Sequence, residues 1–214
     1  MKTFIIAIGT LFCFGYGVLV QPAETKHKGK PLTRQMIQAP TLKPFSDSKD
    51  FMLVRDMVYI LGQTDISITV PKGFVTDFAS VPKGLWSFGL SPHGKFSKAA
   101  IIHDYLYWTQ GCSRQQSDMI MLIAMKESQV EAVDQFALYE GLDLAGNPAW
   151  VENMQDRKAG IPRIVPVEYW DFPPDATWAK YRNVLVSKGV EDPDFYKSPS
   201  YCILGDSEEI PGIK

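Results

Sequence analysis

The stretch GFVTDFASVPKGLW (73–86), followed by FSKAAIIHDYLYWT (96–109) and SRQQSD (113–118), decides how this chain folds. Before it, FMLVRDMVYILG and DISITV are β-branched and alternating, and ITVPKGF reads as a strand, a Pro-Lys-Gly turn and a second extended piece. That is the pattern of a small antiparallel sheet or meander from about 51 to 79. Val81-Pro82 stops it, because a residue before proline is pushed into extended conformations. From 96 the period becomes helical, so the expected fold class is α+β: a small antiparallel sheet, then a packed helix pair or three helices.

The first helix is expected from 96 to about 109. Ser113 with Gln116 three residues on is a capping box opening a second helix through Met119, Leu122, Ile123 and Lys126. A third is expected from 130 to about 144, with Val133, Phe136, Ala137 and Tyr139 near one side and Gly146-Asn147-Pro148 breaking the chain. The Pro-rich tail holds one short helix, opened by Pro174-Asp175, striped by Trp178, Tyr181 and Leu185 and ended by Gly189.

At 214 residues, 45% hydrophobic and 21% charged, the composition suits one globular domain with extensions. A net charge of −2 offers no basic face for nucleic acid. Lys2 and the apolar run 4–20 have the layout of a signal peptide or N-terminal anchor, which points to export, periplasmic or extracellular, or to membrane tethering. Residues 21–50 read as a linker, 51–145 as the core domain and 146–214 as an extension packed on that core. Export sets Cys13 aside and leaves Cys112 and Cys202, an even pair available for one disulfide between the tail and the turn joining the first two helices.

Ala99, His103 and Tyr107 are four residues apart and share one helix face, with Asp104 offset by about 100°. A short turn at 110–113 makes the second helix run back, which brings Asp118 near Tyr107 and His103. Two chemistries fit. In one, His103 is a general base that deprotonates a water, Asp118 orients it, and Asp104 binds a hard cation, with Asp77 or the carbonyls of Phe78 to Ser80 completing an oxygen shell suited to calcium. In the other, His103, Asp104 and Asp77 or Asp118 bind a transition metal directly. Against both stands a core role, with His103 and Asp104 holding helices and loop together. Trp86, Phe88 and Trp108 suit either a lipid-accepting mouth or loop anchors. Met119, Met121 and Met125 read as packing, and Glu127 and Glu131 as a solvated face.

The pattern GFVTDFASVP…AAIIHDYLY…SD…AM resembles a phage- and bacteria-associated family, domain of unknown function 1353, over roughly residues 55–130; the label implies no activity. The helix pair is also similar, more distantly, to that of secretory phospholipase A-two. That resemblance implies His103 as base, Asp104 on calcium, Tyr107 beside them and Asp118 orienting the histidine. The glycine-rich, cysteine-flanked calcium loop of that family is absent, so TDFASVP would have to serve as a different metal loop. The expected function is an exported hydrolase, most specifically a phospholipase-like lipid esterase acting on a membrane lipid or envelope component. The alternative is a non-catalytic, phage-derived structural or envelope interaction protein. A metal-dependent amidase or nuclease fits less well, because the chain is acidic and has no separate ligand motif.

Overall fold

The computed structural model describes residues 39–78 and 94–213. The apolar start at 1–20 and most of the 21–50 segment lie outside them, as do Ser80, Trp86, Phe88 and His93. The fold is α+β. Strands β1 (Leu42–Pro44), β2 (Phe51–Leu53), β3 (Met57–Ile60), β4 (Ser67–Val70) and β5 (Val75–Thr76) precede helices α1 (Ser97–Thr109), α2 (Arg114–Glu127), α3 (Ala132–Lys158) and α4 (Trp178–Ser187).

The strands form two antiparallel sheets. One has the order β1-β2-β5, with Leu42 opposite Leu53 and Met52 opposite Val75; the other is the hairpin β3-β4, with Met57 opposite Val70. Two expectations change here. The apolar run FMLVRDMVYILG is not one strand: it bends at Val54–Asp56, where Asp56 Oδ1 accepts from Lys72 N (2.7 Å) and Val54 N donates to Thr41 O (2.9 Å). The sheet also starts earlier than 51, because Leu42–Pro44 of the expected linker pairs with β2 and Phe45 is buried beside it.

Successive strand residues point to opposite faces, and here both faces are covered. Leu53 and Phe74 join the main core with α1 and α2, whereas Met52 and Val75 join a second cluster built from Phe45, Val165, Phe172, Trp178, Tyr181 and Leu185. The Pro-rich tail therefore covers the sheet's second face. Phe45 stacks on Phe172 at 4.4 Å, and Trp178, Tyr181 and Leu185 form the buried stripe of α4. Val75 N donates to Arg163 O and Val165 N to Gly73 O, extending the sheet edge with tail backbone. Gly73, at φ +87°, approaches so closely that a Cβ would sit 2.3 Å from Val165 O.

Helix α3 corrects the sequence reading most sharply, because it continues through Gly146-Asn147-Pro148 to Lys158. An interior proline costs about 3 kcal/mol, and packing on both sides offsets it. Leu138, Leu142, Gly146 and Trp150, each four residues apart, form the inward line, with Leu138 and Gly146 fully buried. Trp150 meets the Tyr107 ring edge-on at 5.1 Å, and Gln110 Nε2 donates to Trp150 O. Gly146 is a close approach rather than a break: a Cβ there would lie 2.6 Å from the Tyr107 hydroxyl. Val133 and Phe136, expected to share one side with Ala137 and Tyr139, are 72% and 67% exposed, and Ala137 is exposed as well. Of the expected stripe, Tyr139 packs on the core.

Cys112 and Cys202, 90 positions apart in sequence, form a disulfide with Cα atoms 5.2 Å apart. It fastens the 3₁₀ turn Ser200–Asp206 against α2, where Gln116 Nε2 donates to Asp206 Oδ1 (2.8 Å).

Two outcomes test this architecture. A loop this long removes roughly 4–5 kcal/mol of unfolded-chain entropy in the ideal case, with about 2–4 kcal/mol typical. Cys202→Ser should therefore lower the melting temperature by roughly 5–15 °C, and scanning calorimetry of reduced and oxidised protein checks this. Gly146→Ala should destabilise by about 1–3 kcal/mol through overpacking. Gly141→Ala on the same helix, with nothing within 4 Å of its Cβ, should stabilise by up to about 1 kcal/mol, so urea melts of the two variants should move in opposite directions.

Candidate functional site

Helix α1 has no exposed residue: ten of its side chains are buried and the other three half-buried. It ends at Gln110 in the left-handed region (φ 51°), and α2 opens three residues later at Ser113. Ser113 Oγ accepts from Gln116 N (3.1 Å) and Gln116 Oε1 from Ser113 N (3.0 Å), the reciprocal cap its spacing suggests. This tight hairpin sets the second turn of α2 against the middle of α1.

Asp118 is where they meet. Its Oδ1 lies 2.9 Å from His103 Nε2 and accepts from the Tyr107 hydroxyl at 2.6 Å, while Oδ2 accepts from Arg114 Nη1 at 3.0 Å. The same Arg114 nitrogen donates to Leu142 O on α3 (3.1 Å). His103 and Asp118 are each 3% exposed, and the His103 and Tyr107 rings lie 4.0 Å apart. A carboxylate only accepts, so the proton in the His103–Asp118 bond sits on Nε2. The other ring nitrogen, Nδ1, is buried without a hydrogen-bond partner. Burial, and then the neighbouring Asp118, hold the Tyr107 phenol well above its usual range, so it remains a donor.

Asp104 belongs to a second group on another face of α1. Its Oδ2 accepts from Thr76 Oγ1 and from Asp77 N (3.2 Å), and Asp77 Oδ1 lies 3.4 Å from Arg163 Nη2. Burial, reinforced by the charge of Asp77, raises the Asp104 carboxyl well above the usual range. The five expected site residues thus fall into two groups, His103 and Tyr107 with Asp118, and Asp104 with Asp77. Among the described residues no three His, Cys, Asp or Glu side chains converge to hold a metal. Asp104 Oδ2 accepts from both donors, and residues 79 and 80, whose carbonyls belong to the expected oxygen shell, lie outside the described residues.

Several contributors lie outside the sequence reading. Arg114 is an i,i+4 partner of Asp118, a spacing visible in the sequence. Trp108 lines no mouth: it is fully buried, with Nε1 on Asp192 Oδ2 and the Arg163 and Arg182 guanidinium groups within 6 Å of its ring. Glu127, expected on a solvated face, is 7% exposed and accepts from the Tyr59 hydroxyl. Burial raises its carboxyl.

Asp50 provides a measurable consequence. Burial, then the charges of Asp77 and Asp47, push its carboxyl from 3.8 up to about 6. With the folded value above the unfolded one, its contribution to stability is complete below about pH 4 and is lost as pH rises through 6. Asp50→Asn should therefore raise the melting temperature at pH 7.5 relative to the parent and leave it little changed at pH 4; parallel thermal melts across this range decide the matter.

Residues 51–142 match the family described as "Protein of unknown function (DUF1353)". No curated protein and no solved structure matched the chain. The matched stretch runs from the start of β2 to the middle of α3, and it contains His103, Asp104, Tyr107, Arg114 and Asp118 together with Asp77. Strand β1 and the tail that covers the sheet's second face lie beyond it. The segment 51–142, which holds the His103–Asp118 cluster, is thus similar to the DUF1353 family.

Proposed function

We propose that this chain is an exported hydrolase in which His103 is the general base, with a lipid ester as its most specific substrate class. The observation carrying this reading is the buried Nδ1 of His103, left without a partner while Nε2 is held by Asp118. In that tautomer Nδ1 carries a lone pair that can take a proton from water as the water oxygen attacks the ester carbonyl. The acyl–oxygen bond then breaks, and the imidazolium returns the proton to the departing alkoxide, leaving acid and alcohol. Asp118 steadies the imidazolium that results, as an orienting carboxylate does in hydrolytic triads. Tyr107, donating to the same oxygen as His103, limits rotation of that carboxylate. The Cys112–Cys202 disulfide supports an oxidising compartment, in keeping with the Lys2-plus-apolar start. Among the described residues no helix is long and apolar enough to cross a membrane.

A second reading has its own support. His103 is 3% exposed, and both oxygens of Asp118 are engaged by groups from α1 and α2. A sealed cluster whose carboxylate is fully engaged suits a non-catalytic, phage-derived structural or envelope interaction protein.

One pair of measurements separates the two. For a hydrolase, His103→Ala should reduce turnover of a short-chain phospholipid ester by at least about 100-fold, with the far-ultraviolet circular dichroism retained. For a structural cluster, the parent shows no turnover, and the same change lowers the melting temperature by several degrees. An active parent whose His103→Ala variant hydrolyses the ester equally well would sink the proposal.

A further inference from the structure

We propose that Arg114 is a positioning residue for the His103–Asp118 pair, setting both the orientation of the carboxylate and the charge that the imidazole meets; this rests on the reading of His103 as base. Arg114 occupies the first position of α2, directly after the Ser113 cap. A cation in a first helical turn opposes the helix dipole and costs some tenths of a kcal/mol, so helix formation does not account for it. Its geometry does. One guanidinium nitrogen holds Asp118 Oδ2 at 3.0 Å and the Leu142 carbonyl of α3 at 3.1 Å. The carboxylate plane is thereby fixed from outside, and Oδ1 is turned inward toward His103 Nε2 and the Tyr107 hydroxyl. Gly146 completes the arrangement: a Cβ there would lie 3.3 Å from Arg114 Nη1 and 2.6 Å from the Tyr107 oxygen, so bare helix backbone lies over both.

The electrostatic consequence follows from the pairing. With Arg114 present, the guanidinium offsets the Asp118 charge that faces the imidazole. Without Arg114, Asp118 faces the ring uncompensated and free to rotate.

Arg114→Gln and Arg114→Lys test this with two readouts on the full-length protein. In ester hydrolysis, Arg114→Gln should lower kcat roughly tenfold at pH 7 with KM unchanged, move the acid limb of the pH–rate profile to higher pH, and recover toward parental kcat above that limb. Arg114→Lys, which restores the charge, should keep the limb near its parental position. In ¹⁵N spectra, with the His103 signal assigned by its loss in His103→Asn, the parent should show a ring protonated at Nε2 and bare at Nδ1. Arg114→Gln should blur that signature into an average of tautomers. A lower melting temperature with an unmoved acid limb and an unchanged ring signature would overturn the proposal, since it would reduce Arg114 to a tie between α2 and α3. The spectra decide even where the parent hydrolyses no ester: an altered ring signature then upholds the coupling while the hydrolase reading falls, and an unaltered one rejects both.

Discussion

Helix α1 has no side turned to water, and the rest of the molecule is arranged around that constraint. An amphipathic helix can leave its polar groups to solvent, whereas a helix buried all round must meet each of them from within the protein. An unpaired buried hydrogen-bonding group costs about 1–3 kcal/mol, and an unpaired charge more. Each partner comes from a different place. Asp118 of α2 serves His103 and Tyr107, Thr76 of β5 serves Asp104, Asp192 of the tail serves Trp108, and Arg157 of α3 caps the Thr109 carbonyl. Sheet, helices and tail are thus positioned by the polar groups of one helix as well as by apolar burial.

The distance along the chain between partners explains what the sequence reveals. His103 and Asp118 are 15 residues apart across a short turn with a reciprocal cap, so helical periodicity alone nearly places them. The α4 stripe and the change from extended to helical patterning are equally local. Asp104 finds Thr76 across 28 residues and Trp108 finds Asp192 across 84, and no spacing rule reaches that far. For the same reason Glu127 reads as a surface residue until Tyr59, 68 residues earlier, is seen beside it. Gly146-Asn147-Pro148 misleads in another way. Its residues carry a strong local preference for breaking a helix, but the glycine admits the Tyr107 hydroxyl, and the helix continues past the proline with contacts on both sides of it.

Two polar groups on adjacent residues of α1 have opposite fates. His103 retains a bare nitrogen, the one buried ring atom on this helix without a partner, whereas the Asp104 oxygen is met by a hydroxyl and an amide and its carboxyl is driven toward the neutral form. The dipeptide reads as a unit in sequence, yet the 100° between neighbours on a helix sends one side chain to α2 and the other to the sheet. That division is why the two neighbours meet different partners, Asp118 for His103 and Thr76 with the Asp77 amide for Asp104.

The position of the disulfide also bears on how the chain is made. Cys112 precedes its partner by 90 residues, which at ribosomal rates of about 5–20 residues per second is an interval of roughly 5–20 s. Over that interval Arg157, Arg163 and Asp192 are synthesised after α1 as well, so the central helix exists before much of what satisfies it. A nascent chain at that stage exposes an apolar helix, a free thiol and an uncovered sheet face together. The native arrangement around α1 is therefore closed from the C-terminal side, by a tail whose arrival comes nearly last.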